Sequence, residues 1–374
     1  IGLYLATDHD PLAPVWLADI KEMPGACNSS CEKVREWRVS SALRTEDWQR
    51  VRAALTRLPK GIADQPRWLY WRGRSAEIAR QPAARAWFAR AAADRDYYGF
   101  LAADRLARPY SLNNASTPPT QSQIAAFSKG PGARRAQELL LLDRLEQARR
   151  EWLHLLRKTG GNRAEMVLAA YVAHAWEWHG MAIMTLGRSR AFDQLNARYP
   201  RPYDSLIGRE AKRAGIDALW ARSIMRQESA YMRRARSSAD ARGLMQLLPA
   251  TARSVARSLG TRLRKTSALY DPAVNIRFGV TYLKQMLAKM DGHIALATAA
   301  YNAGPHRIPN WLHKETPLDA DIWIDTIPYT ETRNYVKAVL AHQITYALLG
   351  GTQPTRLNEV LPPVPVRARI AKKK

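Results

Sequence analysis

Cysteine is nearly absent: only Cys27 and Cys31 occur in 374 residues, within "ACNSSCEK". A disulfide-dense scaffold is therefore excluded. A bridge across that short gap is geometrically feasible and would point to an oxidising compartment, and two free thiols remain equally open. No second Cys or His pair completes a four-ligand set, so no metal and no cofactor is expected. No run of about 18 apolar residues occurs either, which excludes a membrane-spanning helix. Glycine-rich phosphate loops ending in Gly-Lys-Ser/Thr are missing. Alternating runs with hairpin turn signals are missing too, so strands are not expected. Acidic residues are scarce beside basic ones, 33 against 58, for a net charge of +25. Such an excess suits a polyanionic partner, whether nucleic acid, anionic lipid or an acidic polymer such as cell wall. The chain starts at Ile1, and no basic segment with an apolar core follows. Any export signal has been removed, or the chain is a fragment.

What is present reads as helix almost throughout. From about Trp37 to Leu106 come short helices rich in Ala, Arg and Trp, with Trp48, Trp68, Trp71 and Trp87 placed for helix-to-helix packing. They resemble the paired helices of a solenoid, without a clean period. Packing explains these tryptophans better than base stacking does. "SLNNASTPPTQSQ" (111–123) is a loop by composition, and "RYPRPYDSL" (198–206) breaks the helical pattern with two prolines. "HAWEWH" reads as aromatic packing of His174 and His179, not as a shared ligand face. Beyond residue 206, caps are clear: Asp271 before Pro272, Pro249 inside a helix start, Gly260 past a helix end. The last segment, "LPPVPVRARIAKKK", is Pro-rich and then basic, and is expected to be disordered.

Chemistry concentrates between residues 218 and 336. In "ALWARSIMRQESA", Leu219, Trp220, Ile224 and Met225 mark a buried helix face. Glu228 lies four residues beyond Ile224 and three beyond Met225, so it points close to that apolar stripe. An ionised, unpaired carboxylate there costs several kcal/mol. Partial burial disfavours the charged form and would raise its pKa. "GLMQLLPATA" (243–252), "TAAYNAGP" (298–305) and "DTIPYTETRNYV" (325–336) follow, the last with a cap expected at Thr330 and Glu331 in the first turn. Each alone has a plain structural reading: Gln246 as a capping side chain, Tyr301 as a core ring, Glu331 as an acid at a helix start.

Together, the order ESA, S-x-x-x-x-x-GLMQ, AYNAG, IPYTETR-x-YV resembles the catalytic domain of the soluble lytic transglycosylases, goose-lysozyme-like enzymes that cleave bacterial peptidoglycan. The resemblance there runs from about Tyr203 to Leu349. "RDYYGFLAADRL" (95–106) is similar to the family's helical superhelix, and 111–200 to its linker domain. The fold it implies is all-α. Residues 1–110 would be the C-terminal part of a superhelical, solenoid-like domain, and 111–200 a helical linker domain. Residues 201–350 would be a lysozyme-like catalytic domain, and 351–374 a Pro-rich basic tail. The superhelix would then be short, as in a chain lacking the N-terminal part of a longer parent.

The resemblance also implies roles. Glu228 would be the single catalytic acid/base, acting between N-acetylmuramic acid and N-acetylglucosamine. The substrate's own N-acetyl group would assist, and a 1,6-anhydro ring would close without water. Ser237, Gln246 and Met245 would belong to the saccharide cleft, Met245 being as readily a core residue. Tyr301 would place its hydroxyl near the acid, Asn302 would adjoin it, and Glu331 would position substrate. Asp240 stands where glycine is frequent and Leu248 where methionine is. The implied partner is the glycan strand of peptidoglycan, with other cell-wall enzymes as further partners. The implied state is a monomer in the periplasm, with outer-membrane association open and no role for nucleic acid. A lysozyme-like hydrolase on the same fold and a non-catalytic helical scaffold are the competing readings.

Overall fold

The computed structural model describes residues 1–20, 29–114 and 117–367. Cys27, and with it the bridging of Cys27 to Cys31, lies outside the described residues. Among those residues the regular elements are helices, accompanied by isolated β-bridges. The chain belongs to the all-α class. It divides into two compact units, Ile1–Leu112 with Thr281–Lys374, and Asn113–Val280.

In the first unit, short helices pack on their sequence neighbours, as Pro66–Ile78 does on Ala83–Ala91, and Ala83–Ala91 on Tyr97–Arg105. Their starts follow from local chemistry. Asp47 accepts from the Arg50 N–H and Asp96 from the Gly99 N–H, while Pro66 occupies a first turn that needs no donor. Trp68 and Trp71 are buried, and the half-buried Trp87 carries the Arg72 and Arg90 guanidinium groups over its ring. The tryptophans serve packing, as their spacing predicts.

The helix Ala320–Asp325 lies against Ser29–Arg44, and Thr330–Leu349 against Tyr97–Arg105. Their join is a buried polar node. Asp325 is fully buried and accepts from the Tyr98 hydroxyl at 2.6 Å, the Lys337 Nζ at 2.6 Å and the Trp71 indole N–H. It also pairs with Arg67 at 2.9 Å. Burial alone would raise its pKa, but the Arg67 and Lys337 charges outweigh that and hold the carboxyl well below its ordinary range. Burial pushes Lys337 the other way, down to about 7, against the pull of Asp325. The end of the chain corrects the expectation of a disordered tail, at least as far as Arg367. Leu357, Leu361 and Val364 are buried, and Leu318 and Val364 exchange backbone hydrogen bonds. Apolar residues spaced three or four apart supply enough burial to order this Pro-rich stretch.

The second unit begins with helices Gln121–Ser128, Pro131–Leu141, Leu145–Lys158, Arg163–Ala175 and His179–Arg188. A capping box between Thr120 and Gln123 starts the first of them. Their core centres on Trp152, with Leu156, Met181 and Leu186, and with Trp176 and Trp178 packed edge-on against Trp152. His174 and His179 pack ring against ring at 5.4 Å, consistent with the packing reading, although they sit on successive helices.

After the Pro200–Tyr203 break, Asp204–Ala214 ends in Gly215 in a left-handed conformation, and Ala218–Ser229 starts from Asp217, whose carboxylate accepts from Leu219 and Trp220 N–H. Pro249 opens the next helix and Gly260 follows its end with positive φ. Asp271 caps the helix that begins at Pro272, accepting from the Val274 N–H at 2.9 Å. These caps stand where the sequence puts them.

Candidate functional site

The helix Ala218–Ser229 is buried more completely than its apolar stripe demands. Trp220, Ile224 and Met225 are buried as expected, and so are Arg222 and Arg226, while Leu219 is half-buried. Arg222 donates to Pro202 O and pairs with Asp204, and Arg226 lies over the Tyr199 ring. Two arginines thus stay inside because the proline break before the helix offers them partners. Glu228 is half-buried in the last turn, the only carboxylate in this helix. Helix carbonyls converge at that end, and their partial negative charge disfavours a carboxylate.

The chain turns sharply after Glu228. Ala230 and Tyr231 both have positive φ, and the buried Ser229 hydroxyl donates to Leu244 O at 2.7 Å and accepts from the Tyr231 N–H at 3.1 Å. Ser229 thereby ties the end of the Glu228 helix to the GLMQ loop. The serine of ESA is a brace.

The loop 235–247 folds on itself through backbone bridges Arg236–Arg242 and Arg242–Leu247. Ser237 is exposed, its hydroxyl accepting from the Ala241 N–H at 3.0 Å. Asp240 has φ +66°, a conformation that aspartate tolerates where glycine is frequent. Its carboxylate bonds Arg236 and Arg242, and the Arg242 hydrogen bond leads in holding its pKa below the ordinary value. Gly243 has φ +78°, and a Cβ there would lie 2.2 Å from Leu269 O and 2.3 Å from Asn275 Nδ2. Only glycine fits.

Gln246, also at positive φ, spends both amide hydrogens on Ala235 O at 3.1 Å and Gly243 O at 2.8 Å. Its amide oxygen makes no hydrogen bond among the described residues. That leaves Gln246 able to accept from a ligand N–H and unable to donate without breaking the loop. Met245 takes the core position that its motif left open beside a cleft contact. It is fully buried, its N–H bonds Asn275 Oδ1 at 2.7 Å, and its sulfur fills the space over Gly279. A thioether so enclosed is core.

Asn275 is a residue that the sequence reading missed. It is fully buried, and its amide donates to Arg242 O at 2.9 Å and Leu269 O at 2.7 Å while accepting from Met245. One side chain pins both ends of the GLMQ turn. The signal was present as an amide at an interior helix position, flanked by Val274 and Ile276.

The remaining candidates, Tyr301, Asn302 and Glu331, lie in the first unit. Tyr301 is buried near the end of Ile294–Ala303, its ring 5.2 Å from that of Tyr282. Asn302 is held from two sides: the Thr332 hydroxyl donates to its amide oxygen at 2.6 Å, and its nitrogen reaches Glu331 Oε1 at 3.4 Å. Glu331 is exposed in the first turn of Thr330–Leu349. The expected cap at Thr330 is corrected: Thr330 is the first helical residue and Tyr329 precedes it as N-cap. Thr332, buried behind Asn302, was also missed, although the TETR stretch contains it. Exposed Tyr329 stacks edge-on against Trp311 and carries Arg307 over its ring. Among the described residues no group of three or more His, Cys, Asp or Glu could hold a metal. No described helix is long and apolar enough to cross a membrane.

Comparison with known proteins gives three family matches: the transglycosylase SLT domain over residues 205–324, the soluble lytic murein transglycosylase L domain over 126–195, and the soluble lytic transglycosylase helical domain over 326–354. The chain is similar to the soluble lytic murein transglycosylase of Escherichia coli K12, 31% identical over 332 residues, covering 86% of this chain and 50% of that protein. A putative soluble lytic murein transglycosylase of Haemophilus influenzae is 30% identical over 311 residues, covering 82% of this chain and 51% of the relative. Among solved structures, an inactive variant of lytic transglycosylase Slt from Pseudomonas aeruginosa, carrying glutamine in place of a glutamate, has a TM-score of 0.87 at 38% identity. That match covers 94% of this chain and 57% of the other. The 70-kDa soluble lytic transglycosylase from E. coli gives 0.79 at 27% identity, covering 92% and 57%. The chain spans about half the length of the curated relatives it matches.

Proposed function

Since the chain belongs to the soluble lytic murein transglycosylase family, we propose that it cleaves the MurNAc-β-1,4-GlcNAc bond of peptidoglycan without water. Glu228 is the acid and then the base. Protonated, it delivers its proton to the glycosidic oxygen as the bond from C1 breaks. The substrate's N-acetyl group stabilises the cation at C1. The resulting carboxylate takes the proton of the C6 hydroxyl, whose oxygen bonds C1 and closes the 1,6-anhydro ring. Atoms balance with no water consumed, and the glutamate ends as it began.

The observation carrying this reading is the placement of Glu228: half-buried, in the last turn of a packed helix, beside a serine-braced turn. The half-burial and the helix C-terminus each favour the protonated acid. A second support is that the similar Pseudomonas enzyme was rendered inactive with glutamine in place of a glutamate. A third is Gln246, whose free amide oxygen suits the N–H of an acetamido group. Ser237, Tyr301, Asn302 and Glu331 are assigned to substrate positioning. Residues 1–110 are read as the end of a superhelical domain, 111–200 as linker, 201–350 as catalytic domain and 351–374 as a C-terminal segment. A periplasmic monomer acting on glycan strands, and no nucleic acid, completes the proposal.

The test is Glu228→Gln. Loss of a positioned acid costs roughly 10²–10⁴-fold in rate, so digestion of purified sacculi should fall by that order while the fold persists by circular dichroism. Unchanged digestion removes Glu228 from its role.

A further inference from the structure

None of the candidate residues above lines a strongly basic cavity of the second unit. That cavity, about 640 Å³, lies between the end of Asp204–Ala214, the 261–265 stretch and the first turns of the helix from Pro272. Six basic side chains line it: Arg209, Arg213, Arg262, Arg264, Lys265 and Arg277. Its one carboxylate, Glu210, is buried and already shared between Arg209 and Arg213. Arg262, Arg264 and Lys265 are exposed and make no ion pair among the described residues. The floor is apolar, formed by Leu263, Val274 and the buried Phe278. Like charges gathered in a concavity raise the potential there and stay together at a cost that an anion relieves.

We propose that this cavity is a second binding site, taking the carboxylate-bearing peptide stem of a wall strand other than the one being cut. The choice of ligand rests on the wall-enzyme reading above; the choice of an anion rests on the lining alone. A concave site suits a compact chain with carboxylates rather than a flat membrane. An apolar floor suits short aliphatic peptide side chains. The lining has no exposed aromatic ring on which a nucleobase could stack. Arginine, the commonest base here, pairs with planar carboxylates through two parallel N–H groups. Held by a neighbouring strand, the enzyme would stay on the wall between cuts, gaining effective concentration at the cleft.

The experiment measures cosedimentation of the full chain with purified sacculi in the Glu228→Gln background, so that the wall stays intact. The variant is Arg262→Glu with Arg264→Glu and Lys265→Glu, and the milder Arg262→Ala with Arg264→Ala guards against misfolding. The control reverses three exposed charges on the linker helices, Arg134, Arg150 and Arg188. The proposal expects the first reversal to weaken binding to intact sacculi by roughly tenfold or more, about 1.4 kcal/mol, and the control to do far less. On sacculi whose stem carboxyls have been converted to amides, the variant and its parent should bind alike. Equal weakening by the control would mean that net charge alone matters, and would overturn the site. So would an undiminished loss on amidated sacculi. Displacement by inorganic phosphate but not by free stem peptide would overturn the ligand. Product masses from the Glu228 chain are read separately, so hydrolytic products would contradict the proposed reaction and leave this binding difference standing.

Discussion

The Thr332 hydroxyl donates to the Asn302 amide oxygen at 2.6 Å and thereby turns the amide nitrogen toward Glu331. Thr332 is buried, so the orientation of the half-buried Asn302 amide is decided from the interior side. Thr332→Val keeps the volume and removes the donor. Losing one such bond is worth about 1 kcal/mol, so KM on soluble glycan strands should rise about fivefold, with kcat and thermal midpoint little altered. A fall in thermal midpoint with KM unchanged would make Thr332 purely structural.

Gly243 is fixed by both its backbone and its surroundings. Gly243→Ala adds a Cβ 2.2 Å from Leu269 O and 2.3 Å from Asn275 Nδ2, far inside van der Waals contact, at a φ that L residues rarely adopt. Strain of this kind costs of order 1–3 kcal/mol from the backbone alone, before the clash is counted. Denaturant unfolding should show a loss at or above that range. A loss under 1 kcal/mol would mean that the turn has another conformation.

Asp325 compensates two buried cations, Arg67 and Lys337. Asp325→Asn leaves Lys337 without its counter-charge and Arg67 with Glu36 alone, and breaking a buried pair on one side typically costs 3–5 kcal/mol. Asp325→Asn with Lys337→Met should recover part of that loss, because one stranded charge goes with it. Urea midpoints of the three proteins decide the matter, and equal midpoints for parent and single variant would contradict the account.

His9 gives the fold a dependence on pH. Its Nε2–H donates to Thr326 O at 2.8 Å, and burial, aided by Arg44, lowers its pKa to about 3. The unfolded chain therefore binds a proton below about pH 6.5 that the folded chain refuses until about 3. Stability from this group is complete above pH 6.5 and declines as pH falls through that window, by about 1–3 kcal/mol at pH 4. His9→Asn, which tolerates the positive φ at this position, should flatten the curve of stability against pH there. An unchanged slope would locate the acid sensitivity elsewhere.

Much of this architecture is legible in the residues. Helix starts at Asp217, Asp271 and Pro249 are local events, settled by one side chain and its nearest N–H groups, and so they read directly from sequence. The tail did not read correctly, because the place of Val364 is set by backbone pairing with Leu318, more than forty residues away in the chain. Met245 illustrates the same limit in the site. Motif membership ties it to the cleft region, but which face of the loop it occupies is set by Gly279 and Asn275 on a later helix. Asn275 and Thr332 were missed because their work is done behind the residues that draw attention. The half-burial of Glu228 was legible because two apolar neighbours, Ile224 and Met225, are on its own helix.

The most direct test of the central claim is the mass of the products released from purified sacculi. The account predicts muropeptides ending in 1,6-anhydroMurNAc, lighter by one water than reducing-end products, and their loss in Glu228→Gln. Reducing-end muropeptides from the unaltered chain would contradict it, since they require water at C1.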